Sequence, residues 1–208
     1  MVNNLLGTKV GMTQLFDKNG NVVPVTVIDL NNWYVTQLKS SEKDGYVSLQ
    51  LGLLRKRFRG SVFSPTWLKA KQDHFLSVKE VALSGTETYE LGQTVTVEST
   101  PFKEGDVVAV IGTSKGCGFQ GVVKRYGFGG GPSAHGSKFH RRPGSASHMR
   151  RQGEVIKGKR YPGHMGDARV TVKGLEIVRI DKDAGYVFVK GAVPGKKDSL
   201  VTIKMQGN

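Results

Sequence analysis

The chain has 208 residues, with 31 Lys and Arg against 17 Asp and Glu, a net charge of +14 at pH 7, and 38% hydrophobic residues. That is enough apolar side chain for one large domain with a real core, and enough positive field to make a polyanion the first class of partner. Cys117 is the only cysteine, which excludes an intrachain disulfide and removes any need for an oxidising compartment. The start MVNNLLGTKVGM lacks the charge pattern of a secretory signal, and no later run approaches the roughly 18 apolar residues of a membrane span. A cytoplasmic setting with no membrane partner is expected.

In chain order, residues 10–16 and 21–30 are rich in β-branched and apolar side chains, and Asp17-Lys18-Asn19-Gly20 between them is a turn signal, so they predict a hairpin. Residues 33–38 and 46–51 predict two further strands. Arg55-Lys56-Arg57-Phe58-Arg59 interleaves four cations with a ring, a combination suited to phosphate contact plus stacking. Residues 64–83 are the one stretch with helical character, Trp67, Leu68, Phe75, Leu76, Val78 and Val81 lying among Lys, Gln and Glu. Strands are expected again at 94–98, 107–111, 170–180, 186–190 and 200–204, with Asp181-Lys182-Asp183-Ala184-Gly185 closing a second hairpin. So many short strands with close turns predict a mainly β fold. A closed antiparallel β-barrel is the economical form because closure removes exposed edges. The barrel is expected to carry a small mixed insertion at about 52–93.

Residues 115–169 break this pattern. They hold twelve cations against two acids, Glu154 and Asp167, together with 13 of the 28 glycines and four of the five histidines. With a net +10 and no sustained apolar period, the segment cannot make a conventional core, and it reads as a long, extended basic loop ordered by a polyanion. The expected organisation is therefore 1–114 and 170–208 as the two parts of a β body, with 115–169 between them. The candidate RNA-binding residues are Arg55, Lys56, Arg57, Arg59, Lys115, Lys124, Arg125, His135, Lys138, His140, Arg141, Arg142, His148, Arg150, Arg151, Lys157, Lys159, Arg160, His164 and Arg169.

Enzyme readings fail on context. Gly116-Cys117-Gly118-Phe119-Gln120-Gly121 matches the dinucleotide-binding spacing, but that motif requires a helix directly afterwards and an acid about 20 residues on. Here YGFGGGP follows, and no acid precedes Glu154. His135, His140, His148, His164 and Cys117 lack the paired spacing of a zinc site, and nothing arranges a nucleophile, base and orienting group around one pocket. No cofactor, metal or small-molecule substrate is expected. RNA is favoured over duplex DNA because the glycines rule out a recognition helix, whereas an extended cationic peptide can thread the phosphate-lined crevices of folded RNA.

The stretches LLGTKVGMTQLF (5–16), GTSKGCGFQGVVKRYGF (112–128), HGSKFHRRPGS (135–145), KGKRYPGHMGDARVTV (157–172) and VKGAVPG (189–195) together resemble the universal large-subunit ribosomal protein L3 family in its bacterial or organellar form. The resemblance implies a translation-protein type barrel whose central loop runs through large-subunit ribosomal RNA towards the peptidyl-transferase region. It also implies a role in early subunit assembly and contacts with neighbouring ribosomal proteins. By position, Lys115, Lys124 and Arg125 would anchor the loop's base, and residues 135–142 and 150–160 would line its buried part. Two departures stand out: Cys117 replaces a basic residue usual in the family, and His148 replaces a tip glutamine that many bacterial relatives methylate. Methylation there is not expected.

Overall fold

The computed structural model describes residues 4–83, 89–97, 102–147 and 153–206. Its contacts divide the chain into two compact units, residues 1–113 with 169–208, and residues 114–168.

The first unit is built of strands. Six of them, β1 (Asn4–Phe16), β2 (Val22–Asp29), β6 (Val107–Thr113), β9 (Arg169–Asp181), β10 (Tyr186–Lys190) and β11 (Leu200–Met205), pair antiparallel in the order β1-β11-β6-β9-β10-β2. β2 then returns to β1 through eight partners from Thr8↔Asp29 to Phe16↔Val22, so the pairing runs round a closed ring. The alternation of side chains along a strand explains why these sequences fill its core. Val108 and Val110, Val187 and Val189, and Val201 and Ile203 are each two residues apart, and all pack with Leu5, Ile28 and Ile177 in one buried cluster. The first hairpin turns where its sequence directs. The Asp17 carboxylate accepts the backbone N–H of Asn19 at 2.8 Å and of Asn21 at 2.9 Å, and Gly20 takes a φ of 79°. These bonds, led by that from Asn21, hold the Asp17 carboxyl below its ordinary range. In the second hairpin Asp181 accepts the Ala184 N–H at 3.0 Å and Gly185 supplies a φ of 69°.

A second sheet, β3 (Trp33–Lys39), β4 (Ser48–Leu54) and β5 (Phe75–Ala82), buries Trp33, Val35, Leu49, Leu51 and Val81 against Leu6. Leu6 and its neighbour Leu5 point to opposite faces of β1, one towards this sheet and one into the ring. One expectation is corrected here. The three-stranded sheet itself begins at Trp33, β3 pairing with β4 and β4 with β5. The helix expected over 64–83 is not formed. Residues Pro65–Leu68 make a 3-10 turn, α2 (Lys71–His74) is one turn long, and the remainder is β5. Pro65 and the broken apolar runs give a long helix little support here, whereas β5 gains a full antiparallel partner from Ser48↔Ala82 to Leu54↔Phe75 and buries Phe75 and Val81. α1 (Ser41–Asp44) is likewise a single turn, between β3 and β4. The strand expected at 94–98 is only an isolated bridge, Tyr34↔Thr94, with Glu98 outside the described residues.

On the rim of this sheet the Lys39 ammonium donates to the Tyr46 hydroxyl at 2.9 Å, and that hydroxyl donates to Glu80 Oε2 at 2.9 Å. Lys39 also lies 3.2 Å from Glu80 Oε1 and 3.7 Å from Asp44. Tyr46 first, and then Lys39, push the Glu80 carboxyl below its ordinary 4.5. A depressed folded value contributes stability above the unfolded value and loses it as pH falls through the folded one. Thermal unfolding between pH 7 and 3 should therefore show a shallower acid decline for Glu80→Gln than for the wild type. Identical profiles would mean the triad contributes nothing.

Candidate nucleic-acid interface

The second unit, residues 114–168, is held at its base by main-chain bonds. The Ser114 N–H donates to the Ala168 carbonyl at 2.9 Å and the Cys117 N–H to the Met165 carbonyl at 2.8 Å. β7 (Gly118–Gln120) then pairs antiparallel with β8 (Gly163–Met165), with Phe119 opposite His164. α3 (Val122–Tyr126) follows at once and ends on Gly127 at a φ of 72°. Neither strand nor helix was legible in the glycine-rich sequence. The helix does follow the G-x-G-x-x-G stretch, but it is five residues long and ends in YGFGGGP, which is no dinucleotide-binding βαβ unit.

Glycines serve close backbone approach where the segment folds on itself. The Gly131 N–H donates to the His140 carbonyl at 2.7 Å, and a Cβ on Gly130 would lie 2.8 Å from the same oxygen. His135 and His140 take φ values of 55° and 47°, left-handed conformations that histidine enters more readily than most residues.

The cations are mostly on the outside. Lys115, Lys124, Lys138, Arg141, Arg142, Lys157, Lys159 and Arg160 are exposed, as are His135, His140 and His164, whereas Arg125 is half-buried. Arg125 donates to the Tyr161 carbonyl at 2.7 Å, and its guanidinium lies 5.0 Å from the centre of the Tyr126 ring, with that of Arg160 at 5.4 Å. This ring with two guanidinium groups near it was not legible in the sequence, although the Lys124-Arg125-Tyr126 run was its signal. Among the described residues, no ion pair involves a cation of this unit. His148, Arg150 and Arg151 lie outside the described residues. Of the titratable side chains in the described parts, no group of three or more gathers as metal ligands would.

The remaining candidates belong to the first unit. Arg169 is the exposed first residue of β9, paired with Thr113. In the 55–59 cluster, Arg55 donates to the Gln72 carbonyl at 2.9 Å and Arg57 to the Asp73 carbonyl at 2.7 Å, so both are engaged with α2. Phe58 packs 4.8 Å from the His74 ring and 5.8 Å from the Trp67 ring, ring centre to ring centre, which makes it part of a small aromatic core and takes it away from stacking on a ligand. Lys56 and Arg59 are exposed beside a cleft of about 350 Å³ lined also by Asp29, Asp198, Leu76 and Tyr186. The structure thus places the described candidates of 114–168 on one unit and the 55–59 cluster on the other, with Arg55 and Arg57 bonded to α2.

Comparison with known proteins gives one answer. Residues 78–185 match the family model described as Ribosomal protein L3. The chain is 47% identical over 212 residues to large ribosomal subunit protein uL3 of Pelotomaculum thermopropionicum, covering 98% of this chain and 97% of that protein. It is 45% identical over 208 residues to the uL3 of Alkaliphilus metalliredigens, covering 96% and 95%. Against the uL3 of Lysinibacillus sphaericus it is 45% identical over 212 residues, covering 98% and 97%.

Proposed function

The chain belongs to the ribosomal protein L3 family and is a non-catalytic constituent of the large ribosomal subunit in the cytoplasm, and on that premise we propose that residues 114–168 are its main ribosomal RNA-binding element. The observation that carries this reading is the set of exposed cations on that unit, none of them ion-paired among the described residues. Unpaired charge at this density repels itself, and closely spaced phosphates relieve the repulsion while releasing counterions. Lys115 and Lys124 flank the base of the unit. Arg125 donates to the Tyr161 carbonyl and lies against the Tyr126 ring. His135, Lys138, His140, Arg141 and Arg142 on one limb, with Lys157, Lys159 and Arg160 on the other, supply phosphate and base contacts. Arg guanidinium suits bidentate phosphate contact and stacking, which lysine cannot reproduce. The six-stranded ring serves as a translation-protein type barrel. The bound RNA segment lies near the peptidyl-transferase region, and early assembly with neighbouring ribosomal proteins completes the role.

Two measurements test it. The protein should co-sediment with large subunits and persist through a salt wash. Its affinity for large-subunit RNA should fall with salt, at a log-log slope of about −0.7 to −0.9 per phosphate contact. Contact by about half of the cations in the segment gives a slope of roughly −4 to −5 by that rule. A slope near zero would refute electrostatic docking.

A further inference from the structure

Phe119 is the most exposed Phe, Tyr or Trp side chain among the described residues, at 76%. A single exposed apolar side chain is ordinary, but three features set this one apart. It sits in the middle of β7, where pairing with β8 fixes its main chain, so only two side-chain torsions remain to be ordered on binding. Its cross-strand partner is His164, also exposed, which places a second flat ring on the same face of the ribbon. The neighbouring Gly118 and the nearby Gly121 bring no side chain that could fold over the ring. The ring is therefore open to a flat ligand on a fixed support.

The surroundings decide what that ligand is. Residues 114–168 carry eleven cations against two acids, so what meets this face carries a dense negative charge. A nucleotide brings both a phosphate for the cations and a π-face for the ring, and base stacking on an aromatic side chain tolerates any base. We propose that Phe119, with His164 beside it, is a stacking platform for one unpaired base of the RNA, an inference that rests on the RNA reading above and adds to it a contact that is not electrostatic. Bases within a continuous helix have no free face, so the platform selects a bulged or looped nucleotide and gives the docked unit a local register that charge alone cannot supply.

Stacking and charge are separable because only charge contacts release counterions. The test is equilibrium binding of the full-length protein to a transcript of large-subunit ribosomal RNA over a range of salt, with chemical probing of the bound RNA. Phe119→Ala and Phe119→Leu should each weaken binding by about 5- to 150-fold with an unchanged salt slope, while Phe119→Trp keeps it. One or a few nucleotides should lose protection in the Ala and Leu variants, with the rest of the footprint intact. Lys115→Ala should instead make the slope shallower by about 0.7 to 0.9. Wild-type affinity in Phe119→Ala would overturn the platform and leave the ring for a protein neighbour. Full rescue by Leu would also overturn it, since an apolar contact without a ring would then suffice. A wild-type chain that fails to bind the transcript would overturn the RNA reading itself, and is distinguished by the loss of binding in every variant alike.

Discussion

A chain in which residues 114–168 are replaced by a short Gly-Ser bridge will keep a cooperative unfolding transition and a β-type circular dichroism spectrum while losing RNA affinity about a thousandfold or more. The geometry at the junction makes the replacement feasible. Thr113 and Arg169 are direct partners at the ends of β6 and β9, and the pairing of those strands runs back to Val107↔Glu176. Partners in an antiparallel pair have Cα atoms only about 5 Å apart, so two or three residues can join them. The residues of the ring's buried cluster and of the three-stranded sheet's clusters all come from outside 114–168. Eleven of the 31 basic residues leave with the segment, and with them the proposed phosphate contacts. A helical or unfolded spectrum would show that the body depends on the segment. Retained RNA affinity would move the interface to the first unit, where Lys56, Arg59 and Arg169 are the exposed cations to test next.

How far the sequence foretold this molecule depends on whether local signals and tertiary pairing agreed. The strands at 107–113, 169–181, 186–190 and 200–205 were legible because β-branched residues at alternate positions also face a core, as Val187, Val189, Val201 and Ile203 do. The first hairpin was legible from Asp17 to Gly20, where turn chemistry is local. β5 was misread because Phe75, Leu76, Val78 and Val81 fit a helical spacing as well as a strand, and the deciding partner, β4, is remote in sequence. Assignment of strands to sheets was not legible either, since nothing local in Trp33–Lys39 says that it will pair with Ser48–Leu54 and not with the ring. In the candidate site, charge and glycine content marked the segment, but not its β7-β8 ribbon. Three-residue strands have no periodicity to read, and their pairing rests on main-chain bonds such as Cys117 to Met165. The same limit applied to Arg55 and Arg57. Their charge was visible, but the carbonyls of Gln72 and Asp73 that engage them were not.

The ribbon's dependence on one glycine gives the second large effect. Gly166 has a φ of 78°, and a Cβ there would overlap the Lys115 carbonyl oxygen and stand 2.9 Å from Gly116 Cα and 3.0 Å from the Cys117 nitrogen. All three are backbone atoms, so no side chain can swing aside. The left-handed conformation alone costs a non-glycine residue about 1–2 kcal/mol, and relief of the overlap must separate the strands that the Cys117 to Met165 bond joins at 2.8 Å. Gly166→Ala should therefore open the base of the second unit, and RNA must then spend binding energy on closing it again. The expected results are faster amide exchange at Cys117 and Phe119 and affinity for large-subunit RNA weakened by about 5- to 150-fold. The body's unfolding temperature should stay unchanged, because Gly166 lies outside the first unit. Gly129→Ala is the matched control. A Cβ there meets nothing within 4 Å and no left-handed φ is required, so exchange and affinity should both stay at wild-type values. Equal behaviour of the two variants would show that the close approach at Gly166 does not organise the RNA-binding unit. A fall in affinity without faster exchange would place Gly166 against the RNA itself.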